Sequence, residues 1–197
     1  MQNETFNEQD SLRVITEMIH KTKNNVIKKD FNEFLFYGYA VLVAAVAIYA
    51  TVYFTGDPRF MFLWTAMCLL YLIKTFALRK PKPEAVTYLE DMMNKVWKII
   101  GSMFGLTLLA MFGCSPLVGR IDFSLMMPLS IIYAGIGTSI TGLIIKENSL
   151  TYTPLIGLVL ASYMLLDGTY DNSWNLLFGV AFLIFMVIPA HICRRKY

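Results

Sequence analysis

Apolar residues fall along this chain in long blocks separated by short polar stretches. Residues 34–54 form the first block and contain no charge. Thr55-Gly56-Asp57-Pro58 has the composition of a tight reversal, and a second block follows over residues 60–78. Further blocks cover 99–118, 125–145, 152–166 (the shortest) and 174–193. A hydrocarbon core about 30 Å thick takes about 20 helical residues at about 1.5 Å each, so each block is long enough, or nearly so, to cross a membrane as a helix. Helices are the economical solution because lipid offers backbone groups no partners. None of the blocks shows the strict alternation of a membrane barrel strand, and they are about twice as long as such a strand.

Two polar stretches carry a different pattern. In residues 11–27, Leu12, Ile15, Ile19 and Val26 recur at near-helical spacing, with Arg13, Glu17, Lys21 and Asn24 largely opposed. In residues 84–98, Val86, Leu89, Met93, Val96 and Trp97 share one face, while Thr87, Glu90, Asp91, Asn94 and Lys98 line the other. Both patterns predict amphipathic helices. Pro81 and Pro83 break the chain before the second, after which one helix can run on into the third span. Such helices either lie in the headgroup layer or offer a docking surface, and amphipathicity does not separate the two. The expected fold is an all-α, polytopic transmembrane bundle of six spans. Residues 1–33 form a cytoplasmic amphipathic segment, 34–193 the bundle and 194–197 a basic tail.

Composition agrees with this pattern. Of 197 residues, 56% are hydrophobic and 16% charged, against about 45–50% and about 25% in soluble domains. The opening residues MQNETFNEQD have neither a basic n-region nor a small-residue cleavage site, so a removable signal peptide is not expected. Charge then orients the bundle. With the N-terminus inside, the inner segments hold fourteen basic residues: Arg13, Lys21, Lys23, Lys28, Lys29, Arg79, Lys80, Lys82, Lys95, Lys98, Lys146, Arg194, Arg195 and Lys196. The outer loops hold two, Arg59 and Arg120. The positive-inside rule therefore places both termini in the cytoplasm and favours an even number of spans. The net charge of +3 is explained by topology and does not indicate nucleic acid.

Candidate chemistry is sparse. The carboxylates all fall in tails, loops or span ends, which weakens an ion-coupled carrier because such proteins keep ionisable groups at mid-membrane. Lys74 is the one charge well inside a span, close enough to its inner end to snorkel. Asp57, Asp122, Asp167 and Asp171, with Tyr170 and Trp174, fall on the outer side, where turn chemistry is the commoner role and a shallow cation site the sharper one. Cys68, Cys114 and Cys193 have no metal-ligand spacing and read as small buried hydrophobes. The intramembrane hydroxyls Ser102 and Ser139 have no histidine within expected reach, since His20 and His191 fall on the cytoplasmic side. HExxH is absent. No catalytic, cofactor or metal residues are expected.

Small residues are the remaining signal. The fourth span carries Gly135, Gly137, Thr138, Ser139 and Gly142, the third Gly101 and Gly105, and the fifth Gly157. Spacing by four lets helix backbones approach closely. The same residues could line a pore. Packing is the more frequent cause, and it puts the fourth helix at the centre of the bundle. Pro189 is placed to kink the sixth helix near its end.

Several stretches also resemble a known family. They are Ser11-Leu-Arg-Val-Ile-Thr-Glu-Met-Ile-His-Lys-Thr-Lys-Asn-Asn25, Phe34-Leu-Phe-Tyr-Gly-Tyr-Ala40, Val86-Thr-Tyr-Leu89 with Lys95-Val-Trp-Lys98, Ile132-Tyr-Ala-Gly-Ile-Gly-Thr-Ser139, and Ile188-Pro-Ala-His-Ile-Cys-Arg-Arg-Lys196. Together they resemble an uncharacterised family of small bacterial six-span integral membrane proteins with no established activity. The resemblance implies a bacterial inner-membrane location and supplies no site residues. The leading expectation is a non-enzymatic sensor, regulator or assembly partner acting through its cytoplasmic face. Its partners would be membrane lipids and a cytoplasmic protein or a second copy. The alternative is a small channel or facilitator lined by the fourth span.

Overall fold

The computed structural model describes residues 8–76, 88–119 and 123–196, and every regular element among them is helical. Helix α1, Glu8–Thr55, is 48 residues long. The boundary expected at residue 33 is not a break in the backbone. No proline or glycine occurs from residue 8 to residue 37, so nothing stops the helix where its composition changes. It ends at Gly56, whose φ of 67° takes the left-handed conformation open to glycine.

A 3₁₀ segment, Pro58–Trp64, returns the chain into α2, Thr65–Phe76. The Asp57 carboxylate starts it by accepting from the Arg59 N–H at 2.9 Å, with Pro58 at the first helical position. Helix α3, Tyr88–Val118, carries the second amphipathic stretch straight into the third span; residues 84–87 of that stretch lie outside the described residues. A short 3₁₀ turn, Phe123–Leu125, precedes α4, Met126–Ile145. The helical segment expected over residues 152–166 starts earlier than expected. It is built from α5, Asn148–Tyr152, and α6, Pro154–Asp167, with Pro154 at the N-terminus of the second piece.

The last candidate crossing is built from α7, Ser173–Phe182, a π turn, Leu183–Val187, and α8, Ile188–Arg194. The expected kink at Pro189 takes the form of this π turn. The Ile188 N–H reaches back five residues to the Leu183 carbonyl, and Pro189 has no N–H to return the ladder to its α pattern. Among the described residues, five helices are long and apolar enough to cross a membrane: Phe31–Thr55, Tyr88–Cys114, Phe123–Ile145, Asn148–Asp167 and Ser173–Arg194. This architecture fits a multi-pass membrane protein.

Helix α1 and the C-terminal helical segment run antiparallel. Along α1 and the last crossing, Tyr39 meets His191, Gly38 meets Val187, Ala45 meets Gly179, and the Asn172 amide donates to the Tyr49 carbonyl at 3.1 Å. Helix α4 packs on α5 and α6 along one side and on α3 along another. The last crossing is the most buried of the five candidate spans and α3 the least. The centre of the bundle is therefore the C-terminal crossing, with α4 beside it. The exposed side of α3 shows Ile99, Leu106, Leu109 and Phe112 in a row, an apolar surface of the kind that lipid covers and water does not tolerate.

Candidate functional site

At the charged end of the bundle the core continues past the apolar spans. Ile27 and Phe31 of α1, Met93 of α3, Leu150 of α5 and Cys193 of α8 are all buried there, and Trp97 of α3 meets the Phe34 ring at 5.5 Å. Three polar groups are built into this end.

The first is Glu147, in the reversal between α4 and α5. Helix α4 ends in a Schellman arrangement, with Lys146 N–H donating to the Leu143 carbonyl at 3.3 Å and Glu147 N–H to the Gly142 carbonyl at 2.9 Å. The left-handed position, normally glycine, is occupied by Lys146 at φ 62°. The chain turns so tightly that a Cβ on Gly142 would lie 2.5 Å from the Thr151 nitrogen. This geometry drives the Glu147 side chain under α8. There it accepts from Lys196 Nζ at 2.8 Å and from the Cys193 thiol at 3.6 Å. Glu147 is only 7% exposed. Glu147 keeps the loop position expected of the carboxylates, but α8 lands on that loop and covers it. A buried carboxylate is costly without compensation, and Lys196 supplies a counter-charge.

The second is Lys74 on α2. Instead of snorkelling alone, it pairs with Glu33 of α1 at 2.6 Å and lies over the Phe36 and Tyr37 rings, 4.7 and 4.5 Å from their centroids. The ion pair and the two cation–π contacts tie α2 to α1. The third is the pair Tyr39–His191, whose hydroxyl and Nε2 are 2.7 Å apart across α1 and α8.

The opposite end holds a separate cluster. Asn175 of α7 is fully buried; its carbonyl oxygen accepts from Trp64 Nε1 at 2.9 Å and its amide donates to the Tyr170 hydroxyl at 2.7 Å. Burial pushes the Tyr170 phenol above its ordinary range. Asp167 accepts from Trp174 Nε1 at 3.3 Å, and Asp171 accepts from the Ser173 N–H at 3.1 Å. Hydrogen bonds from Ser173 hold the Asp171 carboxyl below its usual range. With Asp57 capping the 3₁₀ segment, each described aspartate expected on the outer side has a local structural role; Asp122 lies outside the described residues.

The small residues divide sharply. Gly135 faces Pro154, Gly142 faces Leu150 and Thr151, and Gly157 faces Phe185, each across a close helix contact. Thr138 is fully buried and donates to the Ala134 carbonyl at 2.8 Å; Ser139 is half-buried. Gly101 and Gly105 of α3 face open space, with no atom within 4 Å of an added Cβ. Ser102, also exposed, donates back to the Lys98 carbonyl at 2.8 Å. Of the cysteines only Cys193 is buried; Cys68 and Cys114 are exposed, which corrects their reading as buried hydrophobes. Two of the tightest approaches, Gly38 on Val187 and Gly179 on Ala45, involve glycines that sequence reasoning did not single out. The one available signal was the small-residue pairing of Gly38 with Ala45, two turns apart on one face. Comparison with family models, curated proteins and solved structures finds no match to the chain.

Proposed function

We propose that the chain is a six-span membrane protein with both termini in the cytoplasm, working as a non-enzymatic sensor, regulator or assembly partner through its cytoplasmic face. The span added to the five long apolar helices, second in chain order, would be Pro58–Phe76. Its 7 residues of 3₁₀ helix and 12 of α-helix extend about 32 Å at about 2.0 and 1.5 Å per residue, the thickness of a hydrocarbon core. The distribution of Lys and Arg supports the cytoplasmic assignment of the charged end.

One observation carries the functional reading. Helix α1 has 48 residues, of which 25 belong to the apolar span Phe31–Thr55; the other 23 continue the same helix, with Ile27 still in the core at the charged end. That extension exposes Leu12 and Met18, 64% and 63% accessible, beside the exposed Arg13 and Glu17. The close contacts at Gly135, Gly142 and Gly157 support packing over pore lining, so the facilitator reading gains nothing from them.

The test is deletion of residues 1–26, which leaves Ile27 and Phe31 in the core. The truncated chain is expected to insert and fold like the intact one, with the C-terminal tail still accessible from the cytoplasm. It should lose the phenotype and the cross-linked neighbours that the intact protein shows in its own membrane. A truncated chain that keeps both would overturn the reading.

A further inference from the structure

We propose that the seam between α1 and α8 binds an anionic phospholipid of the cytoplasmic leaflet, its phosphate held by Tyr39, His191, Arg194 and Arg195. The proposal rests on the cytoplasmic assignment of the charged end. His191, Arg194 and Arg195 are three and four positions apart and so share one face at the end of α8. All three are exposed, and neither arginine has a carboxylate partner among the described residues. The nearby acids are already committed, Glu147 to Lys196 and Glu33 to Lys74. Tyr39 joins from α1 through its 2.7 Å contact with His191. With the Tyr39 hydroxyl donating to Nε2, the imidazole carries its proton on Nδ1 and can offer it to an anion. Two guanidinium groups and an N–H thus share the face of α8 that meets α1 through Tyr39, and among the described residues neither guanidinium is paired with a carboxylate.

The ligand must be an amphiphile, because the seam continues as an apolar track. Ile188 lies one turn before His191 on the same face of α8, with Ile192 beside that face, and both are exposed. Val43, four residues from Tyr39 on α1, is 67% exposed. The track leads from the cationic end into the span, as an acyl chain runs below its headgroup. Basic pockets between helices on the cytoplasmic side are a recurring way to hold anionic headgroups. A free phosphate would use the arginines and leave the apolar track unused.

The test uses the full chain, delipidated in mild detergent and reconstituted into nanodiscs of equimolar phosphatidylglycerol and phosphatidylcholine, with retained lipid read by native mass spectrometry. The intact protein is expected to retain phosphatidylglycerol over phosphatidylcholine. Each of Arg194→Gln and Arg195→Gln should weaken retention about fivefold, and His191→Ala and Tyr39→Phe should weaken it further. The double variant Lys95→Gln/Lys98→Gln, which removes two charges from the same end of the bundle, should retain lipid like the intact chain. Equal loss in that control, retention that survives loss of both arginines, or displacement of the lipid by millimolar inorganic phosphate would overturn the proposal. A nanodisc is symmetric, so lipid choice is read whichever way the chain inserts. Tail accessibility in cells reports on orientation separately.

Discussion

Single positions decide how closely these helices approach. Gly142 faces backbone atoms that cannot rotate away, so Gly142→Ala should destabilise the fold by about 1–3 kcal/mol through overpacking. Gly105→Ala meets open space and should be neutral or stabilising, by up to about 1 kcal/mol from helix propensity. Unfolding of both variants in mixed micelles measures the contrast; equal effects would show that α4 and α5 are not in contact as described. Glu147 gives a second prediction at this scale. In a background where the exposed Cys68 and Cys114 are replaced by serine, Glu147→Ala removes the acceptor that holds Lys196 and Cys193. Cys193 is fully buried and should then react at least about tenfold faster with an aqueous maleimide, because the end of α8 frays. An unchanged rate would place the hold on α8 elsewhere. Both glycines looked alike in the sequence, since spacing says that a backbone can approach and not what approaches it. The burial of Glu147 was equally hidden, because it depends on a helix that arrives 46 residues later.

Among the elements, apolar block length was the most legible property. The spans at 34–54, 125–145 and 174–193 end within about two residues of the helix ends at Thr55, Met126, Ile145, Ser173 and Arg194. Where a helix starts in polar sequence was less legible, because composition changes at residue 33 while the backbone has no reason to break. The helical segment that follows α4 shows the same effect: Asn148-Ser-Leu-Thr151 reads as loop and folds as part of a helical turn under the cover of α8. Asn175 sets the tie between the returning 3₁₀ segment and α7. Asn175→Leu would leave the Trp64 N–H and the Tyr170 hydroxyl without their buried partner. The expected cost is about 1–2 kcal/mol, with a red shift in tryptophan emission as Trp64 loosens from Phe178, which it now meets at 5.0 Å. Unchanged stability and emission would show that the contact contributes no net energy.

At the scale of the whole molecule, the C-terminal crossing holds the bundle together and α3 lies at its edge. Small-residue content pointed to the fourth helix as the centre, and α4 is indeed well buried. The last crossing is buried more deeply because large residues fill it: Trp174, Phe178, Phe182, Phe185 and Met186 all face inward. A count of glycines sees close approach but not the volume that occupies an interior. The continuity of α1 carries a mechanical consequence. A helix whose apolar part, Phe31–Thr55, is long enough to cross a bilayer and whose other 23 residues continue it for about 35 Å would be a lever pivoting in the membrane. A 5° change in tilt of its span, well within the range that bilayer thickness imposes, would swing the far end by about 3 Å. Lipid thickness would then be written as displacement at the tip, where a neighbouring protein could read it.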